Sequence, residues 1–217
     1  KIKIGANRVD IDKLEPEHTT VPKVAGGYLL SIDRSAAGTS PFSAGNASIN
    51  YLDPDYFDMQ TPQRASQAQY IKNYINSFYT VLNGANWQDP LKGYAAYIDV
   101  PAWLDHHILN VVTFNVDALR LSGYFYKPRE GKLTMGPLWD FDRTQGSTDG
   151  RDFNPRTWRS TVTWDDKGTD MFNSDWLFQN PWFSRLFRDI DFWQKWIDRY
   201  QDLRSGVLAN TNIYAMI

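Results

Sequence analysis

The chain has 217 residues, with 23 Lys and Arg against 25 Asp and Glu for a formal net charge of −2, so bulk electrostatics offer no attraction to nucleic acid or to an anionic membrane. No apolar run approaches the ~18–20 residues that span a bilayer, and the absence of cysteine excludes disulfide scaffolds, thiolate metal sites and cysteine nucleophiles while leaving the compartment open. What stands out is aromatic content, 9 Trp, 12 Tyr and 12 Phe, which predicts either a ring-rich core or stacking platforms for a ligand.

The sequence opens at Lys1 without an initiator Met or a signal-peptide pattern and stops at Ile217 just after a helical stretch, which predicts a fragment of something larger. Short apolar or alternating runs at Ile2–Ile4, Gly27–Asp33 and Ala47–Leu52 predict strands, with Arg34–Asn46 and Gly146–Asp152 as polar loops. Thr61-Pro62 places a capping hydroxyl before a proline suited to a first helical turn. Ile71, Tyr74, Ile75, Phe78 and Leu82 then follow at helical spacing until Asn83-Gly84 ends the run. Asp99 starts a second helix, on which Trp103, Leu104, His107, Ile108, Val111 and Asn115 share one side.

Beyond it, Leu121–Lys127 and Lys132–Trp139 are strand-like and flank Pro128-Arg129-Glu130-Gly131, which predicts a β-hairpin over 121–139. Asn180-Pro181 caps a short helix, and Trp193, Trp196, Ile197, Tyr200 and Leu203 form an apolar stripe on the next. The expected architecture is α+β with helix dominant, a strand- and loop-rich part over 1–60 and a helical lobe with the hairpin over 61–217, all in one domain of 1–217.

The hairpin carries the chemistry. It returns the chain to its origin, so Asp117 before it and Asp140 after it, 23 positions apart, become neighbours in space. Protein kinases bring two aspartates to one cleft by this layout, one orienting the attacking hydroxyl and one holding the metal that neutralises phosphate charge. Asp140 and Asp142 flank a Phe, and in a strand they would share a face, which is costly for two like charges without a cation. The plain alternatives are that Asp117 bonds local backbone at a chain reversal and that the later acids cap a loop or pair with Arg143. Five residues after Asp117, where kinases place a metal-binding amide, stands Ser122, a poorer oxygen ligand.

Asp140-x-Asp142-x-Thr144 does not open an EF-hand, because the Gly falls at the seventh position and Arg151 occupies the twelfth. It also lacks the alternating strand–helix units of glycosyltransferases that grip a diphosphate with Asp-x-Asp. His106 and His107 are adjacent on a helix and cannot face one site, which favours a packing role. Arg199 and Arg204 are read as surface cations.

The run IDVPAWLDHHILNVVTFNVDALRLSGYFYKPREGKLTMGPLWDFDRTQG, with GGYLLSID before it and WFSRLF…RYQDLR after it, resembles the core of the spore coat protein H (CotH) kinase family, an atypical branch of bacterial kinase-like enzymes. The resemblance spans Gly26 to Arg204. It implies a kinase-like C-terminal lobe and transfer of phosphoryl from Mg-ATP to Ser or Thr hydroxyls of a protein partner. Asp117 would be the catalytic aspartate, Asp140 and Asp142 of the WDFD motif would hold Mg2+, and Asp140, Asp142 and Ser122 would line the ATP side. Where the family carries a Glu in its early motif this chain has Ser31, with Asp33 the nearest acid, and no glycine-rich phosphate loop or nucleotide lysine is evident. The alternatives are a pseudokinase that keeps the fold without turnover, or a non-catalytic module whose exposed rings, among Trp87, Trp158, Trp164 and Trp176, bind carbohydrate or protein. The family further implies an extracytoplasmic, cell-surface or coat-associated location.

Overall fold

A computed structural model describes residues 9–144, 146 and 180–215. Among these, five strands form one antiparallel sheet in the order β2-β3-β1-β4-β5 and six α-helices pack around it, an α+β arrangement. The strands are β1 (Tyr28–Ile32), β2 (Phe42–Ala44), β3 (Ala47–Asp53), β4 (Gly123–Lys127) and β5 (Thr134–Met135). The helices are α1 (Tyr56–Met59), α2 (Ala65–Leu82), α3 (Val100–Val112), α4 (Phe183–Leu186), α5 (Ile190–Ser205) and α6 (Asn210–Tyr214). No described helix is long and apolar enough to cross a membrane.

The central strand β1 is the expected GYLLSID segment, and its first four residues are buried because it is paired on both edges. On one side it meets β3 (Ser31 opposite Asn50), and on the other the hairpin strand β4, with Ile32 opposite Gly123 and Tyr28 opposite Lys127. The predicted hairpin is present but shorter than its sequence signal: β4 starts at Gly123 and β5 ends at Met135. One further backbone bond, Gly136 N–H to the Tyr124 carbonyl at 2.8 Å, extends the ladder before Pro137, which has no N–H to donate.

Arg34–Asn46 is not wholly a loop. Phe42–Ala44 pairs with β3 through a two-residue turn at Gly45-Asn46, both at positive φ (57° and 60°), the backbone a tight hairpin of this hand requires.

The helix after Thr61-Pro62 begins as a short 3₁₀ turn and becomes α2, whose ridge Ile71, Ile75, Phe78 and Leu82 is completely buried. Each such side chain contributes about 1.5–3 kcal/mol of burial. Asn83 closes α2, its side-chain amide donating to the Tyr79 carbonyl. Asp99 caps α3 by accepting from the Ala102 N–H, and α3 is stitched to the hairpin by Asp99 N–H and Trp103 Nε1, both donating to the Leu133 carbonyl. Asn115 lies beyond the end of α3 at Val112, so it does not belong to that helix face.

Trp182 plugs the centre. Its ring lies 5.8 Å from Phe78, 5.8 Å from Trp103 and 5.7 Å from Phe125, and its Nε1 donates to the Gly45 carbonyl. Asn180 caps the turn leading to α4 by accepting from the N–H groups of Trp182 and Phe183. On α5 the buried anchors are Phe192 and Trp196; Ile197, predicted in the stripe, faces outward, a one-position rotation of the apolar face. Arg199 joins α5 to α3 through both oxygens of Asp105, and Trp196 Nε1 donates to Nδ1 of the buried His107. The expected strand at Ile2–Ile4 lies outside the described residues.

Candidate functional site

Three chain segments meet at one end of the sheet: the end of β1 at Asp33, the α3–β4 connection with Asp117, and the stretch after β5 carrying Trp139 to Arg143. The hairpin brings the last two together because α3 is fixed to Leu133, so the exits from helix and hairpin are held relative to each other. A direct link spans them: Arg143 Nη1 donates to both Asp117 oxygens, at 3.1 and 3.3 Å.

Asp117 is 9% exposed and its backbone is locally braced. Its N–H donates to Asn115 Oδ1, Asn115 Nδ2 donates to Asn110 Oδ1, and Asn110 Nδ2 donates to the His106 carbonyl. These buried amides run from α3 to the carboxylate-bearing residue, each satisfying a polar group that burial would otherwise penalise. The carboxylate itself accepts from Arg120 at 2.6 Å as well as from Arg143.

Asp140 and Asp142 are exposed, and their side chains lie within hydrogen-bonding reach of each other. Asp140 is raised above the ordinary carboxylate range, first by partial loss of solvent, then by its contact with Asp142 and by the negative charges of Asp142, Asp33 and Asp117. The sequence argument from strand alternation does not explain this pairing, because no strand extends beyond Met135; a turn with Asp140 at φ 61° turns the two acids together.

Asp33 completes the acidic end of the sheet. Tyr124, opposite Ser31 on β4, donates its hydroxyl to Asp33 Oδ2 at 3.1 Å, and the Trp139 ring packs 5.7 Å from Tyr124. Burial and the Asp33 charge hold the Tyr124 phenol well above its usual range. A cavity of about 410 Å³ adjoins these groups, lined by Asp33, Arg34, Tyr51, Tyr56, Phe57 and Tyr124. Ser122 is buried, at φ 55°, and its hydroxyl makes no hydrogen bond among the described residues. Left-handed backbone at non-glycine residues concentrates here: Phe114, Leu119, Ser122 and Asp140 all have φ between 55° and 64°. For bulky side chains this conformation is costly, and such outliers gather at functional sites.

Among the described residues no three His, Cys, Asp or Glu side chains gather closely enough to hold a metal ion by themselves. Mg2+, a hard cation, is commonly bound by one or two carboxylates with phosphate oxygens and water supplying the remainder. The Asp140–Asp142 pair offers two carboxylates in contact, a number of protein ligands such a cation would take.

Other candidate groups are committed elsewhere. His106 and His107 are both buried in helix packing, and His106 is pushed down to about 4 by its burial. Lys127, a buried lysine not singled out by sequence, donates to the carbonyls of Ala25 and Pro128 at the opposite end of β4, and burial lowers it to about 8. Trp87 is buried against Tyr94 and under the Arg185 guanidinium; Trp158, Trp164 and Trp176 lie outside the described residues. Arg143, weighed from sequence as a partner of Asp140 and Asp142, pairs with Asp117; Arg120, Tyr124 and the Asn110–Asn115 pair have no sequence signal, because nothing in their spacing announces which group they meet.

The model of the family described as CotH kinase protein matches residues 7–217. No curated protein and no solved structure matches the chain. With the family match extending over all but the first six residues, the chain belongs to the CotH kinase family.

Proposed function

We propose that this domain is an atypical kinase that transfers the terminal phosphoryl group of Mg-ATP to a Ser or Thr hydroxyl of a protein partner. The observation that carries the reading is the meeting of Asp117 with the Asp140–Asp142 turn across the hairpin, tied by Arg143. Asp140 and Asp142 would hold the Mg2+, which supplies charge neutralisation on the phosphates. Asp117 orients the acceptor hydroxyl and takes its proton as the new O–P bond forms and the bond from the terminal phosphorus to the leaving diphosphate breaks. Guanidinium donors already on Asp117 hold its oxygens in place, which favours orientation of the acceptor as its main contribution. The cavity beside Tyr124, about 410 Å³ with four aromatic side chains in its lining, has the volume and apolar walls suited to a base or an acceptor segment.

A pseudokinase is the second reading, favoured by Ser122 in place of an amide ligand and by the absence of a glycine-rich phosphate loop from the sequence. A location at the coat or cell surface accords with the family's association with the spore coat.

Calorimetry with Mg-ATP separates these readings. The wild-type chain should bind in a Mg2+-dependent manner, and Asp140→Asn should weaken binding at least about tenfold, or roughly 1.4 kcal/mol, with unchanged thermal stability. Binding with transfer of labelled phosphate to an acceptor supports the kinase, binding without transfer supports the pseudokinase, and no binding to wild type overturns both.

A further inference from the structure

Among the described residues two arginines meet Asp117, and they differ in what they connect. Arg120 is three residues away, half exposed, and moves with the same turn. Arg143 comes from 26 positions downstream, directly after Asp142, and is less exposed than Arg120. Its Nη1 reaches both carboxylate oxygens, and its backbone carbonyl faces the Val116 N–H at 3.4 Å. Side chain and main chain of one residue in the acidic turn thus both touch the segment that bears Asp117.

The other side of Asp117 is anchored independently, through Asn115 and Asn110 to the body of α3. Backbone anchoring fixes where the residue is but leaves its carboxylate free to rotate. Rotation is limited by whatever holds the oxygens, and of the two cations there Arg143 is the one attached to the opposing loop.

We propose that Arg143 is a positioning residue that sets the Asp117 carboxylate relative to the Asp140–Asp142 pair, so that the two halves of the site move as one body. Its consequence for rate rests on the phosphotransfer reading above; the mechanical link itself does not. Toward Asp117 a single nitrogen spans both oxygens, so this contact needs a positive charge of adequate reach and not two parallel donors. Lysine should therefore replace it in part and glutamine should not.

The test uses the full chain as wild type, Arg143→Lys and Arg143→Gln, with amide hydrogen exchange over residues 116–121 and steady-state transfer from Mg-ATP. For Arg143→Gln we expect faster exchange in 116–121 with α2 unchanged, and a kcat lower by roughly ten- to a hundredfold, the scale of a small misplacement of a reacting group, at unchanged KM for ATP. Arg143→Lys should recover most of both. In the wild type, 1 M salt should speed exchange in 116–121 relative to α2, because a partly exposed ion pair is screened (Debye length about 3 Å); this arm needs no variant to fold. Wild-type exchange and kcat in Arg143→Gln overturn the proposal, as does a Lys variant as impaired as the Gln variant, or salt-insensitive exchange. If the wild type transfers no phosphate, the kinase reading fails while the exchange contrast still decides the link.

Discussion

Around Trp182 the large rings are buried and packed edge-on or tilted against one another, with Trp182 itself touching Phe78, Trp103 and Phe125. Around Asp117 and Asp140 carboxylates gather, with Arg120 and Arg143 on Asp117, and four non-glycine residues sit in left-handed backbone. One region lowers its free energy by removing apolar surface from water with few rotors to freeze. The other gathers carboxylates, offset in part by the guanidinium groups on Asp117, together with strained backbone, and it persists because helix α3 and the hairpin fix its ends. The difference teaches where this molecule keeps its stability and where it keeps its chemistry.

Three perturbations break or sharpen that contrast. Trp182→Ala has the largest expected effect: it removes a fully packed indole and its bond to Gly45, and should cost about 3–5 kcal/mol by urea unfolding. A loss below 1 kcal/mol would mean that the ring is not the centre of the core.

Acid is the second perturbation. Burial holds His106 down at about 4 against its ordinary 6.5. As pH falls below 6.5 the unfolded chain takes the proton first, so stability is full above 6.5 and is lost progressively toward pH 4. At about 1.4 kcal/mol per unit the loss is on the order of 3 kcal/mol. His106→Gln should flatten the pH dependence of the unfolding midpoint across that window. An unchanged profile would show that the imidazole does not govern it.

The smallest effect is a gain. Ser122→Gly removes a left-handed non-glycine residue and a buried hydroxyl without a partner among the described residues, and should stabilise the fold by about 1 kcal/mol. A fall in melting temperature would show that the hydroxyl is doing structural work.

Much of the first region was legible in sequence. The period of Ile71, Ile75, Phe78 and Leu82 declares α2, the Asp99 cap declares α3, and Pro128-to-Gly131 declares the hairpin, since each is a local pattern matched by local geometry. What sequence missed there is non-local: Trp182 belongs to a segment remote from the rings it joins, and β2 was hidden because its signal is only the Gly45-Asn46 turn between short runs. In the second region, the hairpin argument brings Asp117 toward the WDFD turn without fixing which groups touch. That Arg143 meets Asp117 and that a turn joins Asp140 to Asp142 both depend on side-chain direction after the strand ends, where alternation no longer constrains it. Asp33 was noted only as the acid nearest a missing Glu; its bond to Tyr124 depends on the β1–β4 register, which no single strand encodes.

The Trp182 indole and the Gly45 carbonyl it binds are 137 positions apart. A contact of that span raises the contact order and delays closure of the core until most of the chain has been made. During synthesis the sheet strands and the α2 ridge leave the ribosome well before the ring that packs against Phe78. The nascent chain therefore exposes apolar surface over much of its translation, and any truncation upstream of Trp182 should leave a chaperone client rather than a folded smaller domain.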